Sequence, residues 1–133
     1  MISRVYFGVF GRGNISELKQ TSGASPDIAW SKGDTYYIDG KTLKRPNSRW
    51  IIGDIEYTSG EVDDKIALLI ERIADVKFSI ETGYNTWSQK IVIVIRENSY
   101  NVGLELKPTT ILSLSAVNVP VWFDFYGFGE DVG

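Results

Sequence analysis

The chain has 133 residues, no cysteine, no histidine and a formal net charge of −3. That length predicts one domain over 1–133, and the missing residue types exclude disulfides, thiolate zinc sites, thiol nucleophiles and the commonest metal ligand and general base. Neither metal nor cofactor is expected, catalysis would be left with carboxylate, hydroxyl, lysine or tyrosine chemistry, and the acidic balance speaks against nucleic acid or an anionic membrane as partner.

In Arg4–Phe10, Val5, Phe7 and Val9 alternate with other residues and predict a first strand, which the following glycines end in a turn. Asn14 and Glu17 have the spacing of a capping box and predict a short helix through about Gln20. Arg4, Gly8, Gly11 and Gly13 interrupt any leader-like apolar run. The longest aliphatic stretch, Ile91–Ile95, is far below the roughly 20 residues needed to cross a bilayer, so a soluble cytoplasmic protein is expected. Ile28 and Trp30 predict a second strand, Lys32-Gly33-Asp34 a turn, Asp39-Gly40 a hairpin tip, and Arg49–Tyr57 another strand. Lys41, Lys44, Arg45 and Arg49 cluster around Pro46 and read as a solvated loop, with a phosphate or an acidic partner as the alternative.

Over Glu61–Asp75, Val62, Ile66, Leu69, Ile70 and Ile73 form the stripe of a helix with one buried face. Ser59 or Gly60 is placed to cap it, Glu61 and Lys65 form an i, i+4 pair, and Asp63 and Asp64 suit the positive end of the helix dipole. Those two carboxylates diverge by about 100° around the axis and cannot grip one ion together. A strand at Lys77–Thr82, a turn at Gly83–Thr86 and a run at Lys90–Arg96 follow; the run is apolar on both parities, as in a central strand covered on both faces.

Gly103–Lys107 predicts a further strand, and Pro108 opens a helix carrying Ile111, Leu114 and Val117 that Asn118 ends. In the last strand, Val119–Phe128, parity gives Val121, Phe123 and Phe125 to the core and Trp122, Asp124 and Tyr126 to the opposite face, before a loose tail from about Gly129. The order β-α-β-β-α-β-β-β-α-β predicts an α+β fold: a mostly antiparallel or mixed sheet with helices on one face and a ferredoxin-like element in the first half.

Gly8–Gly13 imitates a nucleotide-binding turn but lacks the lysine and hydroxyl of a phosphate loop, and Ser16 stands where a dinucleotide fingerprint needs its last glycine. Ser31 and Lys32 are neighbours on an extended chain, point to opposite sides and cannot serve as nucleophile and base. The partner-binding surface is instead expected on the C-terminal strand. There Trp122 and Tyr126 flank Asp124, and Glu130 and Asp131 extend the negative charge; the alternative is that the aromatics cover a second core. Trp30, Lys32, Asp34, Lys44 and Arg45 make a secondary candidate surface.

The opening aromatic strand Tyr6–Phe10, the turn Trp30-x-Lys32-Gly33-Asp34 after Pro26, Trp50 at the start of a strand, and Leu112-x-Leu114 running into Val121–Tyr126 together resemble a bacterial family known as domain of unknown function 4279. The first helix departs from the family's longer segment. The resemblance implies a small cytosolic protein without an assigned activity, and by analogy an antitoxin-like immunity protein. A non-catalytic binding protein is therefore expected, most concretely one that neutralises a toxin, such as a basic one, through protein–protein contact. The rivals are a carboxylate-based enzyme, which needs a deep pocket with converging Asp or Glu side chains, and a structural or self-associating domain, which needs a large apolar patch.

Overall fold

A computed structural model describes residues 1–22, 25–74, 76–80, 87–98 and 103–127, with the side chains of 19–22 and 77–80 outside the description. Alternation acts as expected in β1 (Ile2–Gly11), where Val5, Phe7 and Val9 enter one core and Tyr6 and Phe10 belong to the other side. Gly8 and Gly11 lie inside this strand, so the imitation of a nucleotide-binding turn has no structural counterpart. The expected helix from Asn14 does not form either. Asn14 Oδ1 accepts the Ser16 N–H at 2.9 Å, one 3-10 turn follows at Ile15–Glu17, and the chain enters β2 (Leu18–Ser22). A segment this short cannot offset the cost of helix nucleation, and pairing with a distant strand supplies its backbone partners instead.

β3 (Ile28–Trp30) is followed by the hairpin of β4 (Thr35–Ile38) and β5 (Lys41–Lys44). Asp39 and Gly40 have φ of 49° and 74°, the two positive values a two-residue hairpin loop of this type demands. Half of the supposed basic loop is thus a strand. β6 (Ser48–Gly53) stops short of the expected Tyr57, at Gly53 with φ 131°, where an added Cβ would stand 2.5 Å from the Val5 carbonyl oxygen. The chain leaves the sheet here, held by the Asp54 carboxylate accepting the Val5 N–H at 3.0 Å, and Ile55 is exposed rather than on a strand face.

α1 (Val62–Ile73) buries Val62, Ile66, Leu69 and Ile73, with Ile70 at the flank of the stripe. Its N-cap is Glu61, extended and without a side-chain cap bond, in place of Ser59 or Gly60. Lys65 turns from Glu61 to fasten the helix to the sheet: its Nζ lies 2.8 Å from Ser3 Oγ and from both oxygens of Thr58. β7 (Lys77–Ile80) and β8 (Ser88–Glu97) come next. Gly103–Lys107 is irregular rather than a strand; Leu104 and Leu106 pack on the core, and the Lys107 N–H donates to Asp63 Oδ1 at 3.0 Å. α2 (Pro108–Val117) has Pro at its start and ends at Asn118 in the left-handed region, φ 59°. β9 (Val121–Gly127) closes the described chain.

Five strands form one mixed sheet in the order β3-β6-β1-β8-β9, with β2-β7 and β4-β5 as separate two-stranded ribbons. β6 runs antiparallel to both β1 and β3 and lies between them, and β1 runs antiparallel to β6 and β8 and lies between those. These are two interlocked split β-x-β units, the ferredoxin-like element, in which β2 and the 3-10 turn stand where a first helix would be. β9 adds parallel to β8 through α2. Both helices contribute to a core with Val5, Phe7, Val9, Trp50, Ile52 and the β8 residues Ile91, Ile93 and Ile95. The fold is α+β with helices on one face. Among the described residues no helix is long and apolar enough to cross a membrane.

Candidate functional site

No described helix covers the other face of the sheet. The alternate residues Tyr6, Ile51, Val92 and Val94 form a small second cluster there, so β8 is apolar on both sides as its sequence requires. What lies over and beside that cluster is a row of rings and cations. The Arg45 guanidinium sits between Tyr36 and Trp30, 3.9 and 3.8 Å from the ring centroids. Arg49 lies between Trp30 and Phe10, at 5.8 and 5.5 Å. Lys90 Nζ is 4.9 Å from both Phe10 and Trp122. Strand pairing makes this row, because Arg49 is opposite both Phe10 and Trp30, Lys90 is opposite Gly8, and Trp122 is beside Val92. Toward the other end of β1 and β8, Arg4 lies over Tyr6 and Arg96 over Tyr57.

A groove of about 640 Å³ opens along this row. Phe10, Arg12, Arg49, Lys90 and Trp122 line it, and Asp124 is the one carboxylate among the described lining residues. Gly8 leaves room for the Phe10 ring on this face, since a Cβ there would collide with that ring. Among the described residues, no carboxylate comes within ion-pair distance of Arg12, Arg45, Arg49 or Lys90. Contact with ring faces orients Arg45, Arg49 and Lys90 but leaves their charge uncancelled.

Trp122 and Tyr126 stand on this face 56% and 45% exposed, so they do not enclose a second core. Asp124 is not a lone carboxylate: Tyr126 Oη donates to its Oδ2 at 3.0 Å. That bond and the carboxylate's charge raise the Tyr126 phenol above its ordinary range, while burial, opposed by Arg4 and Arg49, raises Tyr6. Glu130 and Asp131 lie outside the described residues. The described surroundings of the strip are more cationic than acidic. Val121, Phe123 and Phe125 do take the helix side, but Phe123 and Phe125 remain 40% and 45% exposed and stack on each other at 6.2 Å, because β9 is the edge strand and only its start reaches the core.

The secondary candidates are brought together in part. Asp34 Oδ2 accepts the Ser31 N–H at 2.8 Å, and the backbones of Gly33 and Asp34 pair with that of Arg45. Trp30 Nε1 donates to the Asn47 carbonyl at 3.0 Å, and the fully buried Ser48 hydroxyl bonds the Gly13 carbonyl and the Lys32 N–H. This knot holds Arg45 against Trp30. The Lys32 and Lys44 side chains are exposed.

Sequence reading missed Phe10, Arg12 and Lys90 as site residues. A signal was present: Phe10 has the parity of Tyr6, opposite to Val5, Phe7 and Val9, and so belongs to the helix-free face. Away from this face, Asp63 Oδ1 accepts from Thr110 Oγ1 at 2.6 Å as well as from the Lys107 N–H, so this α1 carboxylate caps the start of α2. Among the described residues no group of three Asp or Glu side chains is placed to share a metal ion.

No curated protein and no solved structure matches the chain. A family model does, over residues 2–128, and its description is "Domain of unknown function (DUF4279)". With the match running from the first strand past the last, the chain belongs to the DUF4279 family.

Proposed function

We propose that this protein is a non-catalytic binding protein whose working surface is the helix-free face of its sheet. The observation that carries the reading is the row from Arg45 to Trp122, in which cations without a described carboxylate partner alternate with ring faces along an open groove. Aromatic rings supply contact area at small entropic cost, and uncancelled charge selects the partner and speeds its arrival. Among the described residues one carboxylate lines the groove, whereas acid–base chemistry on a substrate by carboxylates asks for two that converge.

The most concrete form of this reading is an immunity protein that neutralises a toxin. The cationic lining then favours a toxin surface that is acidic, in place of the basic one the overall charge suggests. Affinity capture from the source organism, comparing wild type with a Lys90→Ala/Trp122→Ala protein and an Arg72→Ala control, tests the reading. A macromolecule held by wild type and control but lost from the double variant supports it. A partner held equally by all three refutes the choice of face.

A further inference from the structure

We propose that the occupant of the helix-free face is single-stranded nucleic acid. This rests on the choice of face above, departs from the immunity form of that reading, and names a different ligand. The face offers two kinds of group in alternation, and a ligand that satisfies both must carry repeated negative charge and repeated flat apolar surfaces. An acidic protein segment meets the cations but leaves the exposed ring surface of Trp122 without a flat counterpart. A duplex carries the charge but keeps its bases stacked on each other. A single strand presents phosphates and unstacked bases together, and sheets without helices on one face recognise it by stacking bases on their rings.

The dimensions agree. Five strands at about 4.8 Å spacing make the row roughly 19 Å long, and its β1-β8-β9 part is roughly 10 Å, enough for about two nucleotides laid across the strands. Its accessible part runs from Phe10 through Lys90 to Trp122, because Arg45 stacks on Trp30 at 3.8 Å and Trp30 Nε1 is bonded to Asn47, whereas Lys90 lies 4.9 Å from both Phe10 and Trp122. Arg12 and Arg49 border that part of the groove. The net charge of −3 is no obstacle at this range: carboxylates more than a Debye length of about 8 Å away are largely screened, while the groove cations touch the ligand.

The test is fluorescence anisotropy of the full chain with labelled single strands of RNA and of DNA, each about 12 nucleotides long, at about 50 mM salt. The same DNA as a duplex and a labelled polyglutamate peptide serve as comparators. Single strands should bind at least ten-fold more tightly than either comparator, by order of magnitude. Trp122→Ala should weaken single-strand binding about 5- to 100-fold, with Trp122→Phe restoring most of it. Lys90→Ala should lower the slope of log affinity against log salt by about 0.7, the loss of one phosphate contact. Arg72→Ala, whose guanidinium pairs with Asp27 at 2.8 Å, should change neither. Circular dichroism checks that each variant is folded.

Failure of every single strand to bind, or equal binding of duplex or polyglutamate, overturns the proposal. If the double variant of the capture experiment meanwhile loses a protein partner, the face reading stands and the ligand is an acidic protein. Single-strand binding that survives both Trp122→Ala and Lys90→Ala overturns the proposal and the choice of face together.

Discussion

The two faces of the sheet are made by the same strands, yet they are covered in different ways. On one side the isoleucines at 52, 91, 93 and 95 are wholly enclosed beneath α1 and α2 together with Ile66 of α1. On the other, Tyr6, Ile51, Val92 and Val94 are buried without a described helix, beside Phe10, Ile28 and Tyr57, with Arg4 over the Tyr6 ring and Lys90 over that of Phe10. Branched aliphatics from separate elements interdigitate and hold one arrangement. Long amphipathic side chains cover apolar surface while their charged ends stay in water. The comparison teaches that one face is committed to stability, and that the other keeps charge and ring surface available to a ligand.

The strongest way to break that comparison is to damage the helix side. Leu69→Ala removes a side chain only 2% exposed and should lower the unfolding free energy by about 2–5 kcal/mol in chemical denaturation. A loss under about 1 kcal/mol would show a core that relaxes around the gap and a helix face less committed than it looks. Ser48→Ala probes the knot at the groove's edge. It strips the Gly13 carbonyl and the Lys32 N–H of a partner and should cost about 1–3 kcal/mol, so an unchanged midpoint would mean that neither group depends on the hydroxyl.

The open face should respond the other way. Trp122→Ala is expected to change stability by less than about 1 kcal/mol while weakening ligand binding, and a loss as large as that of Leu69→Ala would make the ring part of the core. Asp63→Asn tests the seam between the helices and should have the smallest effect. The Thr110 hydroxyl, then the Lys107 N–H, hold the Asp63 carboxyl below its ordinary 3.8. Because the folded value is the lower one, the stabilisation is present above about pH 3.8 and is lost as the pH falls through the folded value. Thermal unfolding should favour wild type at neutral pH and converge with Asp63→Asn in acid; curves that stay parallel would remove Asp63 as the cause.

Much of the fold was legible because it depends on periods that local residues carry. The α1 stripe from Val62 to Ile73, the Asp39-Gly40 hairpin, the doubly apolar β8 and the Asn118 stop were all readable this way. The misreadings fell where short segments have no strong period of their own. Leu18–Ser22 is a strand through pairing with β7, and Gly103–Lys107 is irregular because Leu104 and Leu106 are drawn onto the core and Lys107 to Asp63.

The site divides in the same manner. Sequence alone determined that Trp122, Asp124 and Tyr126 share a face opposite Phe123 and Phe125, since side-chain alternation is a property of the single strand. It also determined the absence of histidine and cysteine, and with it the range of chemistry open to the chain. Only the tertiary structure decided what those three residues meet. Strand order sets Lys90 of β8 against Trp122 of β9 and Phe10 of β1, and Arg49 of β6 against Phe10, although these residues lie far apart along the chain. A net charge is a sum over the whole chain and carries no position, which is why an acidic protein can bear a cationic face.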